Sequence, residues 1–238
     1  MAIYTIKLIK KELVAANTMA FHFEKPADFT YIAGQYCDFS LIDPSDTDDE
    51  GPKRTFSLAS APFEPDLMIT TRLRDTAFKR TVKDMPLGSA LQLEGPFGSL
   101  TLPKTATRPA VFLTGGVGAT MVRSMITQAT HDQQTQQITF LYSNRSAQDA
   151  VFLDEFSALA AQNKHLTFVP TMTDANTTDW TGEHGPITLD MLKKYVADIS
   201  APAYYLSGSG DMVGAMRRML MGAGIDRTNI RSDLFIGY

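Results

Sequence analysis

The rhythm of the chain changes near residue 104, and that change constrains the fold more than any single motif. Before it, short apolar–polar alternations are punctuated by Gly, Pro and Asp: IYTIKLIKKELVAANTMAFHFEKP, GQYCDFSL, RTFSLAS, LMITTRLR and ALQLEG. Period-two alternation puts one face of a strand inward and the other outward. One stretch departs from it, TAFKRTVKDM, which reads as a helix with Thr76 as N-cap. Many short strands with one helix predict a small antiparallel β-barrel. Residues 102–109, LPKTATRP, read as a linker. After them, strands alternate with helices: AVFLT, then MVRSMITQAT; QITFLY, then DAVFLDEFSALAAQ; HLTFVP, then TLDMLKKYVAD; AYYLS, then MVGAMRRMLMGAG; and last NIRSDLFI. That alternation predicts a parallel sheet covered on both faces. The expected organisation is two domains, an N-terminal antiparallel β-barrel over 1–103 and a C-terminal α/β parallel-sheet nucleotide-binding domain over 104–238.

Bulk properties narrow the function. With 238 residues the chain is long enough for two hydrophobic cores. Its one cysteine, Cys37, excludes a disulfide framework, a Cys-rich zinc site and an iron–sulfur cluster held by this chain alone. The four histidines are scattered, and no metal site is expected. A net charge of −4 argues against nucleic acid as the main partner. No apolar run approaches the roughly 18 residues of a membrane span, and no leader peptide is legible. A cytoplasmic protein with no membrane partner is expected.

In open α/β sheets, ligands bind where strands end and helices begin. TGGVGAT (Thr114, Gly115, Gly116, Gly118) lies at one such junction and LSGSGDM (Ser207, Gly208, Asp211, Met212) at another. Glycines there admit a pyrophosphate to the backbone, and a helix start favours anions; each run alone fits a tight turn equally well. SNR, with Asn144 and Arg145, follows the second strand of the sheet, where a ribose is read. No acidic residue stands immediately there, so Arg145 either meets a 2′-phosphate or is a solvated loop arginine. WTGEHG holds the only Trp, read as a packing residue. In the first half, Arg54 opens RTFSLAS, while Arg72, Arg74, Lys79 and Arg80 follow in TRLRDTAFKR. Together these cations would surround a phosphate, or else form a solvated basic face.

Taken in order, GQY, RTFSLAS, GPFGSL, TGGVGAT, LYSNR, WTGEHG, YLSGSGDM and a terminal aromatic, Tyr238, resemble the ferredoxin–NADP reductase superfamily over essentially the whole chain. The resemblance implies a flavin-binding barrel, a nicotinamide-nucleotide domain and a reaction in the cleft between them. It implies that Arg54 pairs with the flavin phosphate, Phe56 lies against the isoalloxazine ring, and Ser57 hydrogen-bonds near flavin N5. Tyr238 would cover the opposite face and move aside for the nicotinamide. The expected reacting-centre residues are Ser57, Ser207 and Tyr238. Expected cofactor contacts are Tyr36, Arg54, Thr55, Phe56, Ser57, Thr71, Arg72, Lys79, Arg80, Thr114, Gly115, Gly116, Gly118, Asn144, Arg145, Gly208, Asp211, Met212 and Tyr238. The expected cofactor is FAD in preference to FMN, with NADPH or NADH as co-substrate.

This sequence departs from the family pattern at Phe56 (usually Tyr), Met121 (often Pro), Ser207 (frequently Cys) and Ser209 (commonly Pro). The functional expectation is a flavin-dependent reductase that moves a hydride between NAD(P)H and bound FAD and passes electrons to ferredoxin or flavodoxin. The alternatives are a flavin or oxygenase-component reductase, and a regulatory subunit using its flavin as a redox sensor.

Overall fold

The long first strand, β1 (Ile3–Ala15), reverses through Asn17, whose φ of 51° is one that Asn tolerates better than most residues, into β2 (Thr18–Glu24). The computed structural model describes residues 2–103, 108–174 and 179–234. Four more strands complete the first sheet: β3 (Tyr36–Leu41), β4 (Lys53–Ser57), β5 (Asp66–Arg72) and β6 (Ala90–Phe97). Their order is β4-β3-β6-β1-β2-β5, with antiparallel neighbours throughout. The expected alternation is obeyed: Ile6 and Leu8, Phe21 and Phe23, Phe39 and Leu41, and Leu91 and Leu93 bury into one core. Helix α1 (Ala77–Asp84) closes that core with Phe78 and Val82, and the Thr76 side chain accepts from the Lys79 amide as its N-cap. The edge strands β4 and β5 approach each other, so the barrel has a seam between them.

The second half is a parallel sheet of β7 (Ala110–Gly115), β8 (Ile138–Asn144), β9 (Leu166–Met172), β10 (Glu183–His184), β11 (Ala203–Gly208) and β12 (Ile230–Leu234), in the order β10-β9-β8-β7-β11-β12. Tyr205, Phe112, Phe140 and Phe168 occupy facing positions on four adjacent strands. Their ring centroids are 4.9, 6.3 and 5.2 Å apart in turn. This aromatic row packs in one core with α2 (Ala119–His131) and α3 (Leu153–Gln162). Leu113, Leu141 and Leu206 point the other way, into a core with α4 (Leu189–Tyr195) and α5 (Gly210–Gly222). Strands buried on both faces explain why these runs read as continuously apolar.

Some boundaries differ from the sequence reading. The helix expected from Asp149 begins at Leu153, after a 3₁₀ turn (Ala147–Asp149) and a left-handed Phe152 with φ 58°. The ring of Phe152 leans on the barrel, beside Val14, Ala20, Ala59 and Met68, so a tertiary contact holds a local conformation unusual for an aromatic residue. WTGEHG contains the short edge strand β10, which was not expected. Helix α4 stops at Tyr195, short of Asp198, whose carboxylate instead accepts from Ser200. Residues 104–107 of the expected linker lie outside the described residues, as does Tyr238.

Candidate cofactor cleft

The seam between β4 and β5 opens into a cleft lined by Arg54, Thr55, Phe56 and Ser57 on one side and Thr70, Thr71 and Arg72 on the other. Arg74, Thr76 and Lys79 close one end at the start of α1. Val117 and Thr120, from the glycine-rich junction after β7 and the first turn of α2, belong to the same cleft. Seven of the expected residues therefore come together: Arg54, Thr55, Phe56, Ser57, Thr71, Arg72 and Lys79. Both domains contribute to the walls.

Arg54, Arg72, Arg74 and Lys79 line the cleft against one acid, Glu50. Burial, and after it the charges of Arg74, Arg54 and Arg72, push the Lys79 ammonium below the ordinary lysine range, with Glu50 opposing them. The guanidinium of Arg54 is engaged within its own chain. Its Nη2 meets Asp48 Oδ1 at 3.0 Å and Glu50 Oε2 at 2.8 Å, and its Nη1 donates to the Gly51 carbonyl at 2.7 Å. Asp48 Oδ2 also accepts from the Ala77 amide at the start of α1, at 2.8 Å. Arg80 is not brought to the cleft. One helical step beyond Lys79, it turns outward to Asp46 and Asp75. The Thr70 hydroxyl is buried with no hydrogen-bond partner among the described residues.

Phe56 is held by two other rings, edge-on to Phe39 at 5.9 Å and tilted on Phe78 at 5.7 Å. Ser57 is buried and faces Tyr36 across the β3–β4 ladder. Tyr36 packs on Phe97 and against Gly98, lining a neighbouring groove with Arg231 and Ser232 instead of the main cleft.

On the nucleotide side, β11 lies beside β7 and joins the two glycine-rich junctions. The Ser207 hydroxyl, fully buried, donates to the Gly118 carbonyl at 2.7 Å. A Cβ on Gly118 would lie 2.8 Å from the Gly208 amide nitrogen, and one on Gly115 would lie 2.5 Å from the Met212 sulfur. These glycines thus serve the packing of one junction on the other. Asp211 is exposed in the first turn of α5, and Ser209 caps that helix through the Met212 amide. Asn144 is buried, with neither its side-chain nitrogen nor its oxygen partnered among the described residues, and Arg145 beside it is exposed. The Thr114 hydroxyl is likewise buried and unpartnered.

Sequence reasoning did not single out Asp48, Glu50, Thr70, Val117 and Thr120. The acidic run DPSDTDDEGPK directly before RTFSLAS was the available signal for the first two. The others are ordinary strand and turn residues, and only the closing of the seam gives them a place.

A positive barrel seam set against the strand-end loops of a parallel sheet defines a flavin- and nicotinamide-nucleotide-type oxidoreductase fold. Residues 112–218 match the family model described as an oxidoreductase NAD-binding domain. Flavohemoprotein A of Dictyostelium discoideum is 28% identical over 93% of this chain, and the reductase component of propane 2-monooxygenase of Rhodococcus jostii is 28% identical over 89%. The chain spans 57% of the length of each. A ferredoxin NADP⁺ reductase from Neisseria gonorrhoeae, solved with bound FAD and NADP, superposes with a TM-score of 0.80 at 20% identity over 98% of both chains. The chain therefore carries an oxidoreductase NAD-binding domain and shares the two-domain fold of ferredoxin–NADP reductases. Among the described residues no helix is long and apolar enough to cross a membrane.

Proposed function

We propose that this chain is an NAD(P)H-dependent flavoprotein reductase that takes its electrons as hydride from the nicotinamide and hands them to a separate acceptor. The observation that carries this reading is the composition of one cleft: the cations and Ser57 of the barrel share it with Val117 and Thr120 of the nucleotide junction. The cleft fits a flavin carrying a diphosphate. Arg54 and Lys79 suit the phosphates, and the Ala77 amide at the α1 start, now held by Asp48, is a further donor of the right kind. The partnerless Thr70 hydroxyl suits a polar edge, and the half-buried Phe56 ring suits a flat heterocycle. A bound flavin supplies the exchange between two-electron and one-electron chemistry; the protein holds and orients it. Ser57 offers a hydroxyl able to donate or accept at the reacting edge. Ser207 supports the nucleotide loop through Gly118, and Asn144 offers a buried amide at the strand end where a ribose is read.

The acceptor is proposed to be a one-electron carrier protein such as ferredoxin or flavodoxin. A second reading, an oxygenase component as acceptor, is favoured by the similarity to the propane 2-monooxygenase reductase component. The test is to identify the flavin released by heat and titrate the purified protein anaerobically with NADH and with NADPH. FAD release and stoichiometric bleaching of the flavin band are expected. Bound flavin that neither nucleotide reduces would overturn the enzyme reading in favour of a redox-sensing subunit.

A further inference from the structure

We propose that Arg123 is a positioning residue that fixes the spacing between the flavin-side strand β4 and the nucleotide-side helix α2. The inference rests on the reductase reading above. Arg123 lies one turn beyond Thr120 on α2, in a helix segment otherwise occupied by small and apolar side chains, and is 8% exposed. Its guanidinium leaves its own domain. Nη1 donates to the Ala59 carbonyl and to Glu64 Oε2, each at 2.8 Å, and Nη2 donates to Glu64 Oε1 at 3.0 Å. The other edge holds Glu155 of α3, through Nε at 3.0 Å and Nη2 at 2.8 Å. Four hydrogen bonds and the Nη2–Glu155 ion pair thus surround the guanidinium, and Glu64 is gripped in the two-pronged manner that fixes angle as well as distance.

The contact falls close to the proposed chemistry. Ala59 is two residues after Ser57, in the loop that leaves β4. Ser124, next to Arg123, donates to the Ser60 carbonyl at 2.6 Å. On the barrel side the same loop is held by Tyr31, whose hydroxyl donates to the Ser60 carbonyl, and by the Met68 amide, which donates to the Ser60 hydroxyl. A short, doubly anchored path thus runs from Ser57 to Ala59, through Arg123, and along α2 to Thr120. Burying an ion pair is a poor way to gain stability, because desolvation offsets the attraction. An apolar contact would join the domains as firmly but allow sliding, whereas the forked pair with Glu64 does not. Hydride transfer is the step that needs this: misplacement by about 1 Å from a remote change can cost on the order of a hundredfold.

The test compares Arg123→Lys, which keeps the charge and loses the fork, with Glu64→Gln, which keeps the shape and loses the barrel-side charge. In flavin-loaded protein, the rate of flavin reduction by NAD(P)H in a single turnover should fall about tenfold or more in Arg123→Lys. The long-wavelength flavin–nicotinamide charge-transfer absorption should weaken, while nucleotide affinity stays within about twofold of the parent. Independently of any flavin, spin labels at exposed Gln92→Cys and Lys164→Cys report the distance between the domains. The distribution should be narrow in the parent and broad in both variants. Variants with lowered melting temperature but unchanged reduction rate, charge-transfer band and label distances would overturn the proposal and leave Arg123 a structural residue only. If the parent is not reduced by either nucleotide, the reductase reading fails, and the label distances alone decide whether Arg123 sets the domain spacing.

Discussion

Asp48 stands between Arg54 and the start of α1: one carboxylate oxygen meets Arg54 Nη2 at 3.0 Å, and the other accepts from the Ala77 amide at 2.8 Å. A guanidinium and a helix-start N–H are the donors a phosphate oxygen would also seek. On the proposed reading, a flavin phosphate would compete with the Asp48 carboxylate for both donors. Asp48→Asn is expected to tighten FAD binding about tenfold. Titration of flavin-free protein by flavin fluorescence quenching measures it, and weaker binding would show that Asp48 organises the cleft instead. Arg54→Ala is expected to lower flavin occupancy while the chain stays folded.

Lys79 gives the cleft a proton-linked signature. Its ammonium is held below the ordinary lysine range by burial and by the neighbouring arginines. An anion placed among these cations favours the charged form and raises the value again. Binding of inorganic pyrophosphate at alkaline pH should accordingly take up protons. Calorimetry in two buffers of different ionisation enthalpy reads the uptake, and Lys79→Met should abolish it.

The grip of Arg123 on Glu64 predicts acid sensitivity. Burial by itself raises the Glu64 carboxyl, but the hydrogen bond and charge of Arg123, helped by the Ala61 amide, outweigh it and leave the group below its ordinary value of 4.5. A depressed carboxyl contributes stability in full above its unfolded value and loses it as pH falls through the folded one. Below pH 4.5 the melting temperature of the parent should therefore drop more steeply than that of Glu64→Gln.

Two neighbouring glycines should respond differently to Ala. Gly118 has an ordinary φ of −58°, but its Cβ would meet the Gly208 backbone at 2.8 Å. Gly118→Ala is expected to cost about 1–3 kcal/mol, as overpacking does. Gly116 has φ 54° with open space around it, so Gly116→Ala carries only the backbone penalty of about 1–2 kcal/mol. Only the first should also disturb the Ser207–Gly118 contact and weaken nucleotide binding. Chemical denaturation and nucleotide titration of the two variants separate these effects.

Arg145→Ala tests nucleotide preference. An exposed guanidinium beside the buried Asn144 suits a 2′-phosphate. The KM for NADPH should rise while that for NADH is nearly unchanged; equal losses would assign Arg145 a general role.

Local order was legible along the chain because it is written in local periodicity. Alternation marked the barrel strands, Thr76 marked the start of α1, and Gly115 to Gly118 marked a strand-to-helix junction. The cationic character of TRLRDTAFKR was legible too, but not which cations share a cleft: Lys79 and Arg80 are adjacent, and only the orientation of α1 on the barrel separates them. Phe152 read as part of a helix because its own residue type opposes a left-handed turn, and the barrel surface against it decides otherwise. The seam itself depends on β4 and β5 being opposite edges of one curled sheet, which no local pattern states. Nothing in the sequence singled out Arg123; its partners Ala59 and Glu64 lie 64 and 59 positions away, and only the packing of α2 on the barrel brings them together. The sequence alone determined which segments become strands and helices and where the glycine-rich turns fall, since those follow from side-chain pattern and backbone sterics. The tertiary structure decided which distant side chains meet, because that depends on how whole faces pack, and each such meeting is the sum of many contacts spread along the chain.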